Sequence, residues 1–165
     1  MEGILTRLLP AALSALALGL IGLLGMWAGI PWLFPSLGPT IAIQTSAPDS
    51  AGARPYNVIA GHLVGLISGI AALLVTGAIH LPSVTAAHEL SLPRLGAAAV
   101  AVGLSMLIQA AIKAQHPPAE ATTLLIALGA IEPTYQSALT IAAGVGLVAF
   151  IGEVAKRIAS HGAGR

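Results

Sequence analysis

The chain has 165 residues, 56% of them hydrophobic and 8% charged, with a mean hydropathy of +0.91. A soluble domain carries about 25% charged residues, so this composition is that of an integral membrane protein. A net charge of +1 and 4% aromatic residues exclude a nucleic-acid footprint, and the absence of cysteine excludes disulfides, thiolate metal sites and cysteine nucleophiles.

Leu8 to Ile30 is predicted as the first span, with Pro10 in its first turn. It is too long for a signal-peptide core and is read as retained, and no transit-type segment precedes it. Gly22, Gly25 and Gly29 predict close helix approach, and Trp27 and Trp32 read as interfacial anchors. Ser36 to Gln44 follows as a short apolar helix, with Ser36 as its cap and Pro39 in its first turn. Gln44 is costly against lipid and is expected to face protein or water. A polar turn runs from Ser46 to Pro55. Asn57 is expected to cap a second span reaching Ile79, with Gly61, Gly65 and Gly69 forming a close-packing face and His62 pointing inward. His80 to Pro93 reads as a loop. Leu95 to Ile112 is the third span, with Ser105 and Gln109 on one face. Pro118 to Ile131 is a second short helix, and Ser137 to Val154 is the last span.

The expected fold is all-α: four transmembrane helices plus two short re-entrant or half helices. They form one domain over residues 1–165, with structural repeats at about 8–79 and 95–158. The short helices correspond at an offset of roughly 80 residues. Segment length favours four crossings, whereas the distribution of Lys and Arg favours six, with only Arg94 outside. Either way both termini are expected in the cytoplasm, and a bacterial inner membrane fits best.

The prolines of His116-Pro117-Pro118 start a helix abruptly. Such an end has free N–H groups and positive dipole, and an anion is one natural partner. Two such ends are expected to converge on one anion. Gly38 would admit it to the backbone, and Ser36 and Thr40 would add hydroxyl donors. Asn57 and His62 are lining candidates; His116, Pro117, Pro118 and Ala119 form the other side. Glu120 opposes an anion unless it takes a proton, and it also complements the helix dipole. Lys113 either snorkels or draws anions inward. Glu153 is expected to pair with Lys156 or Arg157. No HExxH, paired-Asp or Gly-x-Ser-x-Gly pattern occurs, so no enzyme activity, metal or cofactor is expected.

Three blocks resemble the HPP family of small membrane proteins. These are Ser36-Leu37-Gly38-Pro39-Thr40, the stretch from Ala47-Pro48 through Arg54-Pro55-Tyr56-Asn57 to Gly61-His62, and His116-Pro117-Pro118-Ala119-Glu120-Ala121-Thr122. Tyr56 stands where the family tends to have Arg, and Glu120 where a small residue is usual. The resemblance implies a four-span membrane protein and an anion transporter, with nitrite the leading substrate. The alternatives are an anion channel, or a non-transporting protein that packs against or regulates a partner. The expected partners are the small anion, the lipid bilayer and further copies of the chain in a homo-oligomer.

Overall fold

The computed structural model describes residues 2–163. Its α-helices are α1 (Glu2–Ala28), α2 (Leu37–Ser46), α3 (Pro55–Val75), α4 (Val84–Ala87), α5 (Leu92–Ala111), α6 (Ala119–Ala127) and α7 (Tyr135–Ala163). Four stretches are long and apolar enough to cross a bilayer: Leu8–Ala28, Pro55–Val75, Leu92–Ala111 and Tyr135–Arg157. The helices α2 and α6 are about half that length. The protein is therefore an all-α, multi-pass membrane protein.

The helix α3 is the centre of the bundle, packed against α5, α6 and α7. More than half of its span is buried, against a third or less of each other span. Its glycine face is the cause. A Cβ on Gly61 would lie 2.7 Å from the His116 Cβ, one on Gly65 2.6 Å from the Thr123 Oγ1, and one on Gly69 2.8 Å from the Ile126 Cβ. The short α6 thus lies directly on the α3 backbone. The helix α7 seats α2 in the same manner. A Cβ on Gly144 would lie 2.9 Å from the Trp32 carbonyl oxygen, and one on Gly152 would overlap the Gln44 amide. Gln44 is accordingly buried against protein.

Two similar turns send the short segments back along the spans before them. After α1, Gly29 adopts φ +67° and the Ile30 N–H donates to the Gly25 carbonyl at 2.9 Å. After α5, Lys113 adopts φ +56° and the Ala114 N–H donates to the Gln109 carbonyl at 2.8 Å. Both are left-handed helix stops. The α2 segment then runs antiparallel to α1 until Thr45 meets Ser14, hydroxyl to hydroxyl at 2.9 Å. The following loop is tied to the far end of α7 by Lys156 Nζ, 3.0 Å from the Asp49 Oδ1. The α6 segment runs antiparallel to α5, from Gln109 at its start to Arg94 at its end.

Arg94 holds that end. It is buried, and its Nη1 donates to the Ala127 carbonyl at 3.0 Å while its other nitrogens donate to the Leu81 and Pro82 carbonyls. A cation at a helix C-terminus complements the dipole and uses the orphan carbonyls.

Several expectations are corrected. Asn57 does not cap α3: Arg54 occupies the cap with Pro55 following it, and the Asn57 Nδ2 donates to the Gln115 carbonyl at 3.0 Å. The helix α6 stops at Ala127 rather than Ile131, because Gly129 turns left-handed at φ +75°. The loop 80–93 contains α4, capped where the Ser83 Oγ accepts from the Ala86 N–H. Glu153 does pair with Arg157, at 2.9 Å, while Lys156 goes to Asp49.

Candidate functional site

The first turns of α2 and α6 pass each other beside α3, and there they build a buried polar knot. Four of its members belong to the candidate set. Thr40 Oγ1 lies 3.1 Å from the His62 Nε2 and 3.1 Å from the His116 Nε2. The same hydroxyl is 2.8 Å from the Ser36 carbonyl. The Ser36 Oγ lies 2.7 Å from the Thr122 Oγ1, which lies 2.8 Å from the His62 Nδ1. His116 Nδ1 lies 2.7 Å from the Gly52 carbonyl. The imidazole centroids are 5.0 Å apart. Ser36, Thr40, His62, His116 and Thr122 are each 1% exposed or less, so the bonds among these side chains are made away from solvent, while the bond from His116 to the half-buried Gly52 lies at the knot's edge.

Local sequence explains the knot. Pro35 and Pro117 each take the second position of a tight turn, in which the Leu37 N–H donates to the Phe34 carbonyl and the Ala119 N–H to the His116 carbonyl. Each turn leads to a threonine, Thr40 or Thr122, that faces His62. Gly61 has no side chain to hold His116 away.

A second polar group backs the first. The His116 N–H donates to the Gln109 Oε1 at 2.9 Å, and the Gln109 Nε2 donates to the Glu120 Oε1 at 2.7 Å. Ser105 Oγ donates to the same carboxylate oxygen at 3.1 Å. Ser105 and Gln109 share a face of α5 as their spacing predicts. Glu120 therefore sits behind His116, outside the knot, with its Oε2 buried and unbonded.

The expectation of free helix ends is overturned at α6. The N–H groups of Ala119, Glu120 and Ala121 are taken by the carbonyls of His116, Pro117 and Pro118. The chain enters α6 already turning, with Pro118 in a right-handed helical conformation, so its first N–H groups have partners. Ser36 likewise makes no cap bond to α2 and turns its hydroxyl to Thr122. Gly38 is half-buried with nothing within 4 Å of where its Cβ would be, and Pro117 is exposed, so neither lines the knot. Pro118 and Ala119 are buried beside it without offering a donor to it.

Cavities reach the knot's neighbours from two directions. One of about 500 Å³ is bounded by Phe34, Pro35, Glu132 and Thr134. Another of about 450 Å³ is bounded by Ile43, Ser46, Pro117 and Pro118.

The profile of the HPP transmembrane region matches residues 3–163, nearly the whole chain. The chain belongs to the HPP family of transmembrane proteins. No curated protein and no solved structure matches it. In this HPP chain the name-giving histidine links the knot, through Thr40, to the Gly52 carbonyl and, through its own N–H, to Gln109, and the two prolines after it shape the turn. Sequence reasoning missed Thr122 and the Gly52 carbonyl as members. Thr122 had a signal: it follows Thr40 by 82 positions, in register with the Phe34-Pro35 and His116-Pro117 pairs. Gly52 had none, because a carbonyl acceptor in a loop leaves no mark in residue type.

Proposed function

We propose that the protein is a transporter of a small inorganic anion, nitrite first, whose path runs through the knot where α2 and α6 cross. The carrying observation is the meeting of two half-helix starts with five buried polar side chains between two cavities. The positive ends of both dipoles point at that place. An anion entering it exchanges hydroxyl–hydroxyl bonds for bonds from Ser36, Thr40 and Thr122 and from imidazole N–H groups. His62 and His116 line the site, Asn57 and Glu120 brace it, and Gly38, Pro117, Pro118 and Ala119 set the entry turns. The knot as it stands is closed on both sides, which suits an occluded state of alternating access.

The path of the chain supports six crossings in two inverted repeats. Each short segment, extended and then helical, covers about 30 Å, the thickness of the hydrocarbon core. The halves repeat their contacts as well: Gly61 meets Ala114 and His116 as Gly144 meets Trp32 and Phe34, and Gly69 meets Ile126 as Gly152 meets Gln44. Among the described residues, Arg54, Lys113, Lys156 and Arg157 then lie at one end of the bundle and Arg94 at the other. The positive-inside rule assigns the first end, with both termini, to the cytoplasm of a bacterial inner membrane. A homo-oligomer supplies the wall that a small bundle lacks.

The rival reading is a non-transporting subunit that packs against a partner. It draws on the fact that the knot's side chains satisfy one another, as a purely structural cluster would.

Two measurements decide. Purified protein in liposomes should take up nitrite saturably above protein-free controls; no uptake of nitrite, nitrate, formate or chloride by folded, inserted protein favours the rival. Because the chain has no cysteine, Arg54→Cys and Glu132→Cys should react with a membrane-impermeant thiol reagent from opposite sides. Labelling from the same side overturns six crossings.

A further inference from the structure

We infer that His116, Thr40 and His62 form a proton-binding site, in which the Thr40 hydroxyl switches partner when His116 takes a proton. The site itself rests on geometry alone; its use as the coupling site of anion transport rests on the reading above.

One carbonyl sets the direction of every bond in the knot. The Gly52 oxygen can only accept, so the His116 Nδ1 carries a proton. The neutral His116 then has a bare Nε2, which must accept from the Thr40 hydroxyl 3.1 Å away. The Thr40 oxygen has given its hydrogen and accepts from the His62 Nε2–H. His62 is left with a bare Nδ1, which accepts from Thr122, and the Thr122 oxygen accepts from Ser36. Every side-chain donor and acceptor then has a partner, and the one contact left without a hydrogen is that of the Thr40 hydroxyl with the Ser36 carbonyl at 2.8 Å.

A second arrangement fits the same heavy-atom positions. A proton from solvent bonds to the lone pair of His116 Nε2. That Nε2–H donates to the Thr40 oxygen, which accepts from both imidazoles through its two lone pairs. The displaced Thr40 hydrogen turns to the Ser36 carbonyl, already 2.8 Å away. Release reverses this: the Nε2–H bond breaks, its electron pair stays on nitrogen, and the hydroxyl returns. The Ser36 carbonyl is what makes the switch possible, and it is otherwise redundant to the neutral network.

The charged surroundings leave room for one positive charge. On α5 and α6, Glu120 is the nearest carboxylate, separated from the imidazoles by Gln109 and the His116 backbone. Arg94 lies at the far end of α6. Arg54 and Lys113 are exposed, and Lys156 is paired with Asp49. The helix α2 brings no charged residue, residues 8–28 of α1 bring none, and α7 brings none before Glu153, which is paired. An anion bound beside the protonated pair would balance it, so anion and proton would travel together.

The test is ¹⁵N NMR of histidine-labelled protein in lipid bilayers, which reports each ring nitrogen separately. In alkaline buffer His116 should carry its proton on Nδ1 and His62 on Nε2. On acidification with nitrite present, the bare Nε2 signal of His116 should be lost and an N–H signal should replace it. Thr40→Val should move that titration to lower pH, while Thr40→Ser leaves it in place. A His116 proton on Nε2 in alkaline buffer, no second proton on His116 while the fold persists, or equal titrations in wild type and Thr40→Val would each overturn the site. Liposomes with an internal pH dye test its use. One proton accompanying each anion, beyond protein-free liposomes, supports coupling. Anion influx without that proton overturns coupling. Protonation of His116 with no anion influx leaves the proton site standing and removes the transport reading.

Discussion

Gly65→Leu is expected to destabilise the protein by about 3 kcal/mol or more, the upper part of the range for overpacking. Even the first added carbon would lie 2.6 Å from the Thr123 Oγ1 and 2.9 Å from the Ala119 carbonyl oxygen. Neither atom can retreat, because Ala119 belongs to the α6 backbone and Thr123 is held by Ser105 and by that same carbonyl. The short helix must lift from α3, which pulls Thr122 from His62 and His116 from Gly52. Gly103→Leu is the control. It is an exposed helical glycine with nothing within 4 Å of its Cβ position, and it should leave stability nearly unchanged or raise it slightly. Thermal unfolding of both variants in detergent, followed by circular dichroism, checks the pair. Equal melting would show that the glycine face does not seat α6.

His116→Ala is expected to bring nitrite uptake down to the protein-free background while the protein still inserts. The truncation leaves the Gly52 carbonyl without its partner, at about 1–3 kcal/mol, whereas the Thr40 hydrogen still has the Ser36 carbonyl 2.8 Å away. That is tolerable to a bundle held by four long apolar helices, because the hydrophobic burial of the spans is untouched. Uptake is more sensitive, since His116 joins the knot to the loop at Gly52 and to Gln109. Liposome uptake and protease-protection of the inserted protein are read side by side. Uptake at the wild-type rate would remove His116 from the path and, with it, the role assigned to the turn.

How far these residues were legible differs from one to the next. His116 and the short helix after it stood out because two prolines inside an apolar region have few uses. Ser36 and Thr40 stood out by the same reasoning. The partner of each did not. Ser36 was expected to cap its own helix and instead reaches across to Thr122, 86 residues away. Asn57 was expected to cap α3 and instead fastens Gln115. Both expectations were local, and a hydroxyl or amide in a protein interior takes whichever partner packing brings within reach. The free N–H groups expected at α6 were lost to a similar cause: the turn before the helix already supplies their acceptors.

That this is a multi-pass helical membrane protein follows from its apolar runs alone, because runs of this length have no other stable solution in which every backbone group is paired. The sequence also sets where the short helices start, through Pro35 and Pro117, since prolines act on the chain's own dihedral angles, whereas the left-handed stops at Gly29 and Gly129 came to light in the structure. Tertiary structure alone decided what the stops are for. Only packing shows that α2 and α6 lie on the glycine faces of α7 and α3, that their first turns pass one another, and that His62 ends between Thr40 and Thr122. These are distances between residues far apart in the chain, set by the fit of one helix surface to another, and a pattern read along a single strand of sequence does not contain them.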